Sequence, residues 1–194
     1  MRSFVFLLFA CTLLFTVACK NEGGSSRSKV KDITADGYLI SDYTNGSGLQ
    51  RAEKKDQQNK IVEEGDLLNG KREGTWVTYH ANSGLVATVT GYRNGQKHGV
   101  FLRGDETGGI TEKAFYVNDQ LEGKRIVYNR TRIKEEANYQ NGKLAGERKL
   151  YYDNGKLQEE GTFKNGKRDG EAKWYDQEGN PTIQYKYKNG EQVN

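Results

Sequence analysis

KLQEEGTFKNGKRDG, residues 156–170, and KIVEEGDLLNGKREG, residues 60–74, agree at nine of fifteen places. One anchor, usually Asn-Gly, carries the same frame through the sequence: Asn45, Asn69, Asn94, Asn118, Asn141, Asn165 and Asn189. The steps are 24, 25, 24, 23, 24 and 24 residues. A fixed period of this length marks a repeat architecture in which each unit is one supersecondary element. Asn-Gly is a two-residue hairpin signal, because both residues tolerate positive φ. Five places later stands Gly74, Gly99, Gly123, Gly146 or Gly170, which suggests a slightly longer connection with a second special backbone position. A strand then runs to an aromatic end, as from Gly170 to Tyr175, and a second turn follows, such as Glu178-Gly179-Asn180. Counting back from the anchor, an aliphatic residue stands at eight, Gly or Ala at four and a ring or Leu at two. This period-two pattern gives the return strand one buried face. The small residue at four leaves room for a ring from the neighbouring strand.

Loops this short force sequence neighbours to pair in space. The expected fold is all-β: a single-layer, twisted antiparallel β-meander built from about six 24-residue hairpin repeats, with about twelve to fourteen strands. At about 4.8 Å per strand it extends on the order of 60 Å. Gly37–Tyr43 is expected at one edge and Gln184–Lys188 at the other, where Lys discourages further strand addition. Composition agrees. Of 194 residues 24 are Gly, 12 Tyr and only 1 Pro, and 34% are hydrophobic. Without residues 1–18 the apolar share is about 30%, too low for an enzyme with a thick layered core. The aromatic content argues equally against disorder.

The first residues read as an address. Arg2 precedes an apolar run from Phe4 to Phe15 and then Thr16-Val17-Ala18-Cys19, the layout of a secretory signal. A transmembrane helix needs about twenty apolar residues, and Lys20-Asn21-Glu22 ends this run too early. Cys19 looks like the acylated residue of a bacterial lipobox, although Thr16 departs from the usual Leu; ordinary cleavage near Ala18 is the alternative. The division is therefore 1–18 signal peptide, 19–36 lipidated N-terminus and flexible tether, and 37–194 repeat domain. With Cys11 removed and Cys19 acylated, the mature protein has no disulfide, thiol nucleophile or Cys metal site. The interspersed charge forms no basic stripe for nucleic acid. The address is the cell envelope, and the absence of Asp after Cys19 favours the outer membrane.

The pattern ring-x-Asn-Gly-Lys-x-x-Gly, as in Phe163–Gly170, resembles the MORN repeat, and more closely its bacterial variant. The resemblance covers roughly residues 38–194. Where the usual unit has a second Gly, this sequence has Trp76, Phe101, Arg125, Arg148 and Ala172, which favours the variant form. The resemblance implies a scaffold for protein and sometimes lipid contacts. It also implies the label of antitoxin component of a toxin–antitoxin system, carried by many bacterial variant proteins. A lipobox conflicts with a cytoplasmic neutralising role.

The expected function is non-catalytic binding to a protein partner, with the membrane reached through Cys19. No cofactor, metal or small-molecule substrate is expected. A cell-wall or carbohydrate binder is the alternative, faintly suggested by Lys173-Trp174-Tyr175. The candidate binding stripe is Tyr43, Tyr92, Tyr116, Tyr139, Phe163 and Tyr187, with Leu67 in phase. It is either the thin core of the sheet or an aromatic track that docks a partner. Trp76 and Trp174, off the stripe, are candidate end caps. His80 and His98 fall at non-equivalent repeat positions, so a catalytic or metal pair is not expected. Glu63-Glu64, Glu135-Glu136 and Glu159-Glu160 recur in phase. Adjacent strand residues face opposite ways, so each pair is expected to meet Lys and Arg on neighbouring strands, for about 0–1 kcal/mol per contact. For the address, Cys19→Ser is expected to release the protein from membranes in cell fractionation; a mutant that stays bound would remove the lipid anchor.

Overall fold

The computed structural model describes residues 32–193, so the signal peptide, Cys19 and the tether up to residue 31 lie outside the described residues. The strands are β1 Asp32–Ile33, β2 Tyr38–Asp42, β3 Leu49–Lys55, β4 Ile61–Leu68, β5 Lys71–Tyr79, β6 Val86–Arg93, β7 Gln96–Gly104 and β8 Ile110–Val117. They continue as β9 Gln120–Leu121, β10 Gly123–Asn129, β11 Arg132–Gln140, β12 Lys143–Tyr151, β13 Leu157–Lys164, β14 Lys167–Tyr175, β15 Pro181–Lys188 and β16 Glu191–Val193. All pair antiparallel in sequence order in one open sheet, with β9 off the path beside β8. The meander is as expected, but with more strands. β9 and β10 are one strand cut at Glu122, and β1 and β16 are short additions outside the two strands expected at the edges.

The Asn-Gly turns behave as their chemistry dictates. Asn69 and Gly70 have φ of 51° and 73°, and Asn165 and Gly166 of 51° and 82°, both positive, as a two-residue turn matched to strand twist requires. The first turn is the exception, since Asn45 does not adopt positive φ while Gly46 and Gly48 do. The Gly five places on does something other than lengthen the loop. Glu73 pairs with Asp66, but Val77 pairs with Glu64, so β5 advances four residues while β4 advances two. The same slip occurs in β6–β7, β11–β12 and β13–β14. Gly74, Gly99, Gly146 and Gly170 sit in these bulges with positive φ. An odd slip would send every later side chain to the other face; a slip of two keeps the buried face buried.

The core is a single row of residues at the centre of one face. It alternates the position four before the anchor with the position seven after it: Ala52 pairs with Gly65, Trp76 with Thr90, Phe101 with Ala114. Trp76 is 2% exposed and Phe101 5%. The expected fit of ring to small residue is seen most tightly at Gly65. A Cβ built there would stand 2.2 Å from the Trp76 ring, and the indole N–H donates to the Asp66 carbonyl at 2.9 Å.

Successive turns are also tied to one another. The N–H groups of Gly95, Gly142, Gly166 and Gly190 donate to the carbonyls of Arg72, Leu121, Leu144 and Arg168, one unit earlier, at 2.8–2.9 Å. Glu73, Glu122 and Asp169 accept from the N–H groups of Asn94, Asn141 and Asn189 at 2.7, 2.9 and 3.1 Å.

Gly65→Ala is expected to destabilise the protein in urea unfolding by about 2 kcal/mol, because the added methyl overlaps a ring that cannot retreat. In a Trp76→Ala background most of that cost should vanish. Equal costs in both backgrounds would exonerate the ring.

Candidate functional site

The face that carries Trp76, called here the ring face, collects every regular member of the expected stripe. Tyr92, Tyr116, Tyr139, Phe163 and Tyr187 are half-buried there, as is Leu67. None is as covered as Trp76 or Phe101, so the stripe flanks the core row. Tyr43 is the correction. Its hydroxyl donates to Asp66 at 2.8 Å, and Asp66 follows Gly65 in β4, so Tyr43 belongs to the reverse face. The irregular first turn changes the phase. Tyr38 takes its place on the ring face, packed with Leu67 and Tyr92 against Ile40, Ala52 and Trp76.

Charge on the ring face is organised as a ladder. Glu112, Glu135 and Glu159 stand six places before their anchors, and Arg125 and Arg148 seven places after theirs. Period-two counting puts both positions on this face. Arg103 and Arg125 donate to Glu112 at 3.2 and 2.7 Å, and Arg125 also reaches Glu135 at 3.2 Å. Arg148 meets Glu135 at 2.6 Å and Glu159 at 3.8 Å, and Arg168 closes on Glu159. The glutamates are the more covered partners, 14–18% exposed against 24–25% for Arg125 and Arg148. Charges shared along such a network hold one another in place better than isolated surface pairs do. The expected split of the acidic pairs is seen: Glu136 meets Lys124 at 3.3 Å on the reverse face, and Glu160 accepts from Tyr175.

Each end of the ladder region carries a Trp and an Arg three places after an anchor. Arg72 lies 4.0 Å above the Trp76 ring and 5.3 Å from Tyr92, and it pairs with Glu63 at 2.7 Å. Arg168 lies 5.2 Å from the rings of Phe163 and Trp174 and 5.6 Å from Tyr187. Trp174 packs edge-on to Tyr185 at 6.0 Å and donates to Glu159 at 3.1 Å. The two tryptophans therefore anchor matching cation–ring clusters.

The ladder arginines escape a reading of the sequence, although their signal is present in it. Arg125 and Arg148 stand out only as places where a Gly is lacking, until they are counted onto the face of the glutamates. A second unforeseen feature lies on the reverse face. Val77, Val89 and Leu102 pair in line across β5–β7, and the adjoining Val100 and Phe115 are 53% and 42% exposed.

His80 and His98 do not meet. The His80 ring nitrogens approach the Gly104 carbonyl at 3.1 Å and Glu106 at 3.4 Å, whereas His98 Nδ1 is buried without a partner. Among the described residues no group of three or more His, Cys, Asp or Glu could hold a metal ion. Residues 144–165 and 168–189 match the MORN repeat variant model. Those spans cover β12–β15, and the units anchored at Asn69 and Asn94 share their turns and bulges. No curated protein matches the sequence. The family is one of repeat scaffolds, generally non-catalytic.

Burial, with the Glu63 carboxylate beside it, pushes the Tyr38 phenol up to about 12. An unfolded tyrosine ionises near 10. Between these values the folded protein holds a proton the unfolded one has lost, so stability is full below pH 10 and falls as pH rises through 12. Urea midpoints measured across this range should decline, and Tyr38→Phe should flatten part of the decline. An unchanged slope would count against the Tyr38–Glu63 contact at 2.6 Å.

Proposed function

We propose that this protein is a non-catalytic repeat scaffold that binds a protein partner at the bacterial cell envelope, held at the membrane through Cys19. The observation that carries the reading is the ring face. It presents half-buried Tyr and Phe in register with partly exposed Arg over most of the sheet. Tyr, Trp and Arg are the residues that carry interface energy once water is excluded around them. Because each unit presents nearly the same side chains, the surface suits an elongated partner better than a compact ligand. An antitoxin-like role is compatible only with a toxin on the same side of the membrane as this domain.

Wall-polymer binding is the second reading. It is favoured by a shallow aromatic recess of about 320 Å³ lined by Tyr152, Trp174, Tyr175, Ile183, Tyr185 and Tyr187, since sugars stack on such rings.

The test is affinity capture from envelope extract with the mature protein and two variants. A discrete protein should be retained, and Tyr116→Ala with Tyr139→Ala should weaken its capture by about tenfold or more. Phe115→Lys, on the reverse face, should leave it intact. Loss with Phe115→Lys alone would move the interface to the other side. Retention of isolated wall polymer with no protein would replace the first reading by the second.

A further inference from the structure

Asn-Gly turns have a chemistry of their own. The glycine nitrogen can attack the asparagine Cγ. The bond from Cγ to the amide nitrogen breaks, ammonia leaves with the proton from the glycine nitrogen, and a five-membered imide remains. Water then opens the imide at either carbonyl, leaving aspartate or isoaspartate. The balance is amide plus water to acid plus ammonia, and nothing else is consumed. The reaction needs the glycine nitrogen free and the turn able to leave its left-handed geometry, so a hydrogen bond that holds that nitrogen slows it.

In this sheet the regular turns differ in just that respect. Gly95, Gly142, Gly166 and Gly190 each donate their N–H to the preceding unit. Asn94, Asn141 and Asn189 are held a second time by Glu73, Glu122 and Asp169. Asn165 lacks this second hold, because Ala145 stands where those acids stand. Asn69–Gly70 has neither. Among the described residues there is no acceptor for the N–H of Asn69 or of Gly70. The cause lies one unit back. The positions that would serve it are Gly48, in the irregular first turn, and Leu49, which has no carboxylate. Both Asn69 and Gly70 are solvent-exposed. Asn45–Gly46 is a different case, since the amide oxygen of Asn45 is turned onto the Ser47 N–H at 3.1 Å.

We propose that Asn69–Gly70 is a self-modification site, converting to aspartate and isoaspartate ahead of the stapled turns. An isoaspartate inserts an extra backbone carbon into a two-residue turn. Leu68 and Lys71 flank that turn and Leu67 and Arg72 form the next pair out, so the modification loosens the Arg72–Trp76 stack at one end of the ring face.

The test is incubation of the purified protein at mildly alkaline pH, with peptide mass spectrometry at each Asn-Gly over time. Asn69 should convert about tenfold or more faster than Asn94 and Asn141, with Asn165 between, because two hydrogen bonds must break to open the fully stapled turns. In urea the four sites should converge, since Gly follows each. Glu73→Ala, with its thermal midpoint checked, should raise the rate at Asn94 and leave Asn141 unchanged. Equal rates at Asn69 and Asn94 in the folded protein would overturn the proposal. So would an Asn69 lead that persists in urea, which would trace it to local sequence.

Discussion

The architecture depends on one backbone constraint, the positive φ at the glycine five places after the five anchors from Asn69 to Asn165. An Asn-Gly hairpin left to itself pairs its strands evenly and sets the same residues opposite one another to the end. The bulge at this glycine advances one strand by two extra residues. That slip brings the seventh residue after the anchor over the small residue four before it, where it builds the core row. An L side chain at this position is strained whatever the space around it. The glycine is therefore fixed by geometry, while the residue two places later is free to vary.

That freedom is used. Along the sheet the core position is Trp76, Phe101, Arg125, Arg148 and Ala172, each two places after such a glycine, while Ala52 takes the same place in the first unit without a bulge. Where it is a ring, the neighbouring strand offers Gly, Thr or Ala and the contact is apolar. Where it is Arg, glutamates on both flanking strands receive it. A single layer has no second sheet to bury a large apolar face, so two of these six positions are closed by charge sharing where hydrocarbon alone would leave an open patch. The cation–ring clusters around Trp76 and Trp174 stand where the two kinds of contact meet the outer units.

Much of this is legible in the residues. Period, turn chemistry, antiparallel order and the ring face follow from spacing, because short loops leave few topologies open. The fit of ring to small residue at Gly65 also follows from period-two counting. Other features are hidden for physical reasons. Tyr43 keeps the repeat spacing but not the repeat phase, since the turn after it is irregular and pairing starts earlier, at β1. The bulge is invisible because Gly signals positive φ without saying how many residues slip. The ladder is hidden because its acids and bases sit nine to thirteen residues apart and meet only once the slip is known. The apolar line Val77, Val89 and Leu102 lies on strands whose patterns look polar one at a time.

A sheet in which each strand touches only its two neighbours also responds to force in a particular way. Held near residue 32 and pulled near residue 193, it is loaded across its strands, so hydrogen bonds part in sequence from an end like a zipper. Each 24-residue unit released adds about 80 Å of slack backbone. The turn-to-turn bonds and the shared glutamates are then the points where the peeling pauses. Under such tension the sheet would lengthen in steps and recoil as its hairpins re-form.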